Sequence, residues 1–248
     1  MRIIVSPAKK MKMNSDTLPH LQTPVLREQS NRIQKVLQSM NLGELQQLWK
    51  CSDSIARLNW ERLTEDGERV PCTPALLAYE GIQYQYMAPT IFEEGMLSYV
   101  EEHLRILSAF YGVLKPMDGI ISYRLEMQAK LSVEGSKNLY DYWGGQLYQE
   151  VHDQSGIILN LASKEYARCI EPYLQKSDQY ITCVFGEEQN GKVVQKGTYA
   201  KMARGEMVRY MAEHTIVNIE DIKKFNRLEY SYSEGFSCEK EYVYIRNK

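Results

Sequence analysis

No stretch of this 248-residue chain approaches the roughly 20 consecutive apolar residues needed to cross a bilayer. The N-terminus offers only Ile3, Ile4 and Val5 before Ser6, Pro7 and the lysines at 9, 10 and 12, so the apolar core of a secretory leader is missing and the cytoplasm is the expected location. The five cysteines (51, 72, 169, 183 and 238) are dispersed with no C-x-x-C pair, which excludes a disulfide framework or zinc knuckle and predicts reduced, buried thiols. The histidines at 20, 103, 152 and 214 do not cluster either, so the spacing offers no preformed metal site. P-loop and dinucleotide-fold glycine patterns are lacking, as is a nucleophile–base pair, and no cofactor is expected. Charge of one sign is lacking too: 30 Lys and Arg stand against 32 Asp and Glu, a formal net charge of -2. Any nucleic-acid binding must therefore come from a local basic surface. With no repeat, low-complexity tract or linker, residues 1–248 read as a single domain.

What is present reads as a mixed order of elements. Ile3 to Val5 form a short buried strand emptying into a Ser6–Lys9 loop. From Pro24 to Leu63 the chain is helical: Ile33, Val36, Leu37 and Met40 keep a 3.6-residue spacing, Gly43 interrupts it, and Ser52 caps the next helix. Thr73-Pro74 opens a short helix toward Tyr79. Leu97, Val100, Leu104 and Leu107 predict an amphipathic helix that ends near Tyr111-Gly112. Strand signals follow at Ile157–Leu159 and Tyr180–Phe185, with Asn190-Gly191 as a hairpin turn leading into Val193-Val194. Tyr199 to His214 returns to helix, and Tyr230 to Ile245 closes the chain as two strands with Gly235 near their turn. The fold class is α+β, a mixed α/β domain.

At 100° per residue, Ala203, Met207, Tyr210, Met211 and His214 fall on one face of the penultimate element, and Lys201, Gly205 and Arg209 on the opposite one. A glycine inside a helix costs about 1 kcal/mol relative to alanine. Its presence therefore asks for close approach of a ligand or of a neighbouring helix. Lys192, Lys196, Lys201, Arg204 and Arg209, with Lys9, Lys10 and Lys12, could line a basic wall, or merely a solvated face. Ser6–Lys9 and Asn160–Glu165 both follow strands, and loops beyond strand C-termini gather at ligand crevices, so both face one pocket if their strands are neighbours. If Tyr123–Glu126 is extended, Arg124 and Glu126 share a face, as a ligand clamp or as a buried ion pair. Tyr123, Tyr140, Tyr142 and Trp143 read as core before they read as a stacking surface.

Several segments carry a resemblance along the whole chain: Ser6-Pro7-Ala8-Lys9, His103 through Asp118, Tyr123-Arg124-Leu125-Glu126-Met127, Leu139-Tyr140-Asp141-Tyr142-Trp143-Gly144, Asn160 through Tyr166, and Tyr199 through Gly205. In this order they resemble the YaaA peroxide-stress family. Two departures stand out. Tyr79-Glu80-Gly81-Ile82-Gln83-Tyr84 has isoleucine where the family carries an aspartate, and Ser108-Ala109-Phe110-Tyr111-Gly112 replaces its Ser-Gly-Leu-Tyr-Gly. The resemblance implies a compact mixed α/β fold with a helix-hairpin-helix element, a positively charged cleft and binding of double-stranded DNA. It also implies a role in limiting intracellular iron and DNA damage under hydrogen peroxide. The hairpin maps to Leu104–Met117, with Tyr111, Gly112 and Lys115 offered to phosphates. Lys9, Lys10, Arg124, Asn160, Ser163, Lys201, Arg204, Gly205 and Arg209 complete the expected DNA- or phosphate-binding set.

The alternative is an enzyme acting on a nucleotide or nucleobase, or another small phosphate-bearing ligand, in a pocket around Glu126, Asn160 and Arg204. Glu126 or Glu165 would then serve as acid or base, Lys9 and Arg204 as anion clamps, and Asn160 and Ser163 as orienting groups. A small deep pocket favours the enzyme, and a wide groove favours DNA. Direct iron sequestration would need clustered carboxylates and histidines, which the spacing does not supply.

Overall fold

A computed structural model describes residues 1–13, 18–65 and 72–247. The first strand, β1 (Arg2–Val5), has Ile3, Ile4 and Val5 fully buried, because it lies in the middle of a sheet covered on both faces. Its parallel neighbours are β2 (Leu104–Ser108) on one side and β4 (Ile157–Leu161) on the other, with β3 (Gly112–Leu114) folding back antiparallel on β2. Beyond β4 come β5 (Gln179–Gln189) and then, at the far edge, β7 (Tyr230–Tyr232) and β8 (Glu241–Arg246). The order across the sheet is β7-β8-β5-β4-β1-β2-β3, and β6 (Lys192–Val194) hangs on β5 as a hairpin. The five central strands are all parallel.

Helices α1 (Arg27–Gln38), α2 (Leu42–Trp49) and α3 (Asp53–Thr64) occupy the region read as helical, and Asn41 with Glu44 forms a capping box at the start of α2. Next come α4 (Ile82–Met87) and α5 (Glu94–His103). Two short helices, α6 (Leu139–Trp143) and α7 (Gln146–Val151), precede β4, and the long α8 (Gly197–Glu213) follows β6. The Asn190-Gly191 turn has φ of 53° and 74°, the left-handed pair that a two-residue hairpin requires. One hydrophobic core runs from Met1 to Tyr244. No helix among the described residues is long and apolar enough to cross a membrane.

The stretch after α5 departs from the sequence reading. Helix α5 stops at His103, whose Nδ1 lies 2.9 Å from the Met1 carbonyl, and Leu104–Ser108 is a strand buried at every position. A run buried on both faces satisfies a helical stripe by coincidence, and pairing with β1 decides the outcome. Leu104–Met117 is therefore a β-hairpin followed by a turn, which corrects the helix-hairpin-helix expected there. Gly112 keeps its turn role with φ of +78°, but it is enclosed by Leu26, Trp143 and Leu147.

Helices α4 and α8 pack closely at Gly205. A Cβ added there would lie 2.0 Å from the backbone oxygen of Gln83, so the neighbouring helix is the partner that requires glycine. Gly205→Ala should lower stability by about 3 kcal/mol, the upper end of overpacking costs, because backbone rather than a flexible side chain must move. Urea unfolding checks this, and an unchanged midpoint would contradict the packing described.

Candidate functional site

The chain leaves β1 toward β2 and leaves β4 toward β5, so the two loops diverge where the sheet order reverses, a geometry that opens a crevice beyond the strand C-termini. The loops are pinned at their roots: Ser163 N–H donates to Ser6 Oγ at 2.8 Å, and Ser6 Oγ donates to Ser163 Oγ at 3.2 Å. From there opens a cavity of about 510 Å³, lined by both loops, the Glu80–Tyr84 segment, Tyr123–Glu126 and one face of α8. A two-residue ladder between Lys10-Met11 and Tyr79-Glu80 ties the first loop to the wall opposite.

Five basic side chains line the cavity (Lys9, Lys10, Arg124, Lys201 and Arg204) against three carboxylates (Glu80, Glu126 and Glu165), a surplus of two positive charges. Lys9 Nζ lies 2.8 Å from Glu126 Oε1, and Arg124 reaches the same oxygen at 4.0 Å. Lys10 pairs with Glu80 at 2.8 Å. Arg204 differs. Its Nε is buried without a hydrogen-bond partner, and burial pulls its proton affinity below the ordinary arginine value. Among the described residues no carboxylate forms an ion pair with it. Burial pushes the Glu165 carboxyl upward, and the Glu126 charge adds to this, although the Gln128 backbone N–H it accepts at 3.2 Å acts against it.

Tyrosines form the apolar walls. Tyr84 Oη donates to the Ser6 carbonyl at 3.0 Å. Phe110 and Tyr111 N–H groups occupy both lone pairs of Ser108 Oγ, so that hydroxyl gives its own proton to Tyr123 Oη, 2.8 Å away. Tyr79 Oη completes the chain at 2.8 Å from Tyr123, whose hydroxyl burial pushes up to about 12.

The cavity thus gathers Lys9, Lys10, Arg124, Glu126, Ser163, Glu165, Lys201 and Arg204 from the sequence-derived set. The rest lie elsewhere. Asn160 is buried behind the wall, its Oδ1 accepting from Ala162 N–H at 2.9 Å and its amide donating to Thr182 Oγ1 at 3.2 Å, so it shapes the β4 loop without lining the cavity. Tyr111 is buried, and its hydroxyl bonds the Ile121 backbone. Lys115 follows β3, which runs antiparallel to β2, and so sits at the opposite edge of the sheet. Gly205 faces α4, and Arg209 pairs with Glu213 at 2.7 Å. Lys196 is likewise held by Glu187 at 2.8 Å. Two of the five cations read along 192–209, Lys196 and Arg209, are therefore neutralised by carboxylates of their own.

Sequence reading missed Gln83 and Tyr84. Both follow Gly81, in the segment singled out only for its missing aspartate, and nothing in the spacing showed that α4 would turn them inward. No group of three or more His, Cys, Asp or Glu side chains able to hold a metal occurs among the described residues.

The family model described as "Peroxide stress protein YaaA" matches residues 1–235. A UPF0246 protein of Agathobacter rectalis is 54% identical over 246 residues, covering 99% of each chain. Another, of Lachnoclostridium phytofermentans, is 50% identical over 248 residues, covering 100% of this chain and 97% of its own. A third, of Pediococcus pentosaceus, is 48% identical over 248 residues, with 100% and 99% covered. On a match of this extent, running from β1 through the strand that precedes β8, the chain belongs to the YaaA peroxide stress protein family.

Proposed function

We propose that this chain serves the peroxide-stress response by binding, and acting on, a small molecule of the nucleotide or nucleobase class in the cavity between the β1 and β4 loops. The observation that carries this reading is Arg204. A cation withdrawn from water without a counter-charge costs several kcal/mol. Such a group is kept where an anion or a strong acceptor completes it. The cavity volume falls within the range of about 300–1,000 Å³ that small ligands occupy. Glu126, held by Lys9, and Glu165, whose carboxyl burial pushes upward, set two carboxyls in different surroundings in one site, the arrangement that acid–base chemistry uses.

Arg204→Met should lower ligand affinity about 10- to 100-fold, the worth of hydrogen bonds to a charged group. Stability should hold or rise by about 1 kcal/mol as the unpaired charge is removed. Calorimetric titration with nucleotides, nucleosides and nucleobases, set beside thermal unfolding, checks both halves. Unchanged affinity for every member of the panel that binds the unaltered protein would sink the reading.

A second reading, duplex DNA lying across the cavity mouth with an indirect effect on iron, is supported by the exposed Lys9, Lys10 and Lys201 at the rim and by the resemblance read from the sequence. Three rim cations give a plot of log affinity against log salt no steeper than about -3. Duplex binding followed by fluorescence anisotropy should stay at or below that slope. A steeper dependence, reduced by Lys10→Ala with Lys201→Ala, would favour DNA as the physiological partner.

A further inference from the structure

The Gly205 contact has a second effect. It brings the α4 backbone at Gln83 against the residue that follows Arg204 on α8, and Gln83 and Arg204 line the same cavity. Gln83 is only 7% exposed, and its amide nitrogen is buried with no hydrogen-bond partner, as are the Nε atoms of Arg204 and Arg124. Three residues that line one cavity thus each carry a buried nitrogen without a partner, and all three nitrogens are donors. Buried donors without partners cost free energy, so this lining favours a ligand that carries acceptors. Lys201, also on this wall, makes no ion pair among the described residues and stands one turn before Arg204. The charge surplus of the lining is two, which matches a doubly charged oxyanion.

We infer that Gln83, Arg204 and Lys201 form a seat for the phosphate of a small phosphate monoester, with Gln83 as the residue that reads its oxygens. The inference rests on the small-molecule reading above and narrows it: the phosphate lies against α8, and the remainder of the ligand extends toward Glu126, Glu165 and the tyrosine wall. Arg124, already within 4.0 Å of Glu126, faces that second end. The carboxyls are thereby kept from the phosphate, whose charge they would repel, and face the part of the ligand where a proton can be given or taken.

The decisive experiment titrates the unaltered protein, and Gln83→Glu, with the 5′-monophosphates of adenosine, guanosine, cytidine and uridine and with the four parent nucleosides. At least one monophosphate should bind tenfold or more tightly than its nucleoside. Gln83→Glu should erase that preference while leaving the melting temperature equal or higher, because the new carboxylate supplies Arg204 with the partner it lacks. Gln83→Met, which removes the donor without adding charge, should reduce the preference in part. Loss of preference together with a fall in melting temperature in both variants would mark Gln83 as a packing residue and overturn the assignment. Equal binding of monophosphate and nucleoside by the unaltered protein would overturn the phosphate seat while leaving the small-molecule reading intact. Binding of no member of either series would remove both.

Discussion

The parallel pairing of β1 with β2 on one side and β4 on the other governs the arrangement of the whole site. It buries Ile3, Ile4 and Val5 at the centre of the sheet and sends the two following loops apart at the same edge. The hydrogen bonds between Ser6 and Ser163 fix the roots of those loops, so the crevice between them is set by the sheet rather than by loop flexibility. Asn160 reinforces this from behind through the Ala162 backbone and Thr182. A site built on strand ends in this way holds its groups more firmly than one built on long loops.

The second constraint is electrostatic. Of the five cations lining the cavity, Lys9 has Glu126 and Lys10 has Glu80 at 2.8 Å, Arg124 reaches Glu126 at 4.0 Å, and Lys201 and Arg204 form no ion pair among the described residues. Exposed pairs of this kind contribute up to about 1 kcal/mol each and leave little field for steering a polyanion. Of the two unpaired cations Lys201 is exposed, whereas Arg204 is drawn out of water, so part of the unpaired charge stands inside the cavity. An unpaired cation inside the cavity is the feature that a small anion can reach and a duplex lying across the mouth cannot.

Much of the fold was legible in the sequence because its signals were local. The helical spacing of Ile33 and Leu37, the Asn190-Gly191 turn and the strand at Ile157–Leu159 each follow from a few neighbouring residues, although that strand runs on through Asn160 to Leu161. The hairpin at Leu104–Leu114 was not legible, since a strand buried on both faces carries no alternation and its leucines also satisfy a helical stripe. For the site, the expectation that Ser6–Lys9 and Asn160–Glu165 share a pocket depended on β1 and β4 being neighbours, which only the sheet order establishes. Gly205 signalled a close approach, and the sequence left open whether a ligand or a helix made it. Gln83 was invisible because its significance comes from a helix that packs on α8 from more than a hundred residues away. Lys115 and Tyr111 were misplaced for the same reason that the hairpin was.

The claim at the centre of this account is that Arg204, half-buried and with its Nε lacking a hydrogen-bond partner, receives an anionic ligand. The arginine side-chain Nε–Hε resonances of the labelled protein report on it directly during titration with a nucleoside monophosphate. The account predicts that the Arg204 signal moves at saturation while those of Arg209, paired with Glu213, and Arg246, paired with Glu229, stay in place. A nucleotide or duplex that binds and leaves Arg204 unshifted, moving only signals of the cavity rim, would contradict it.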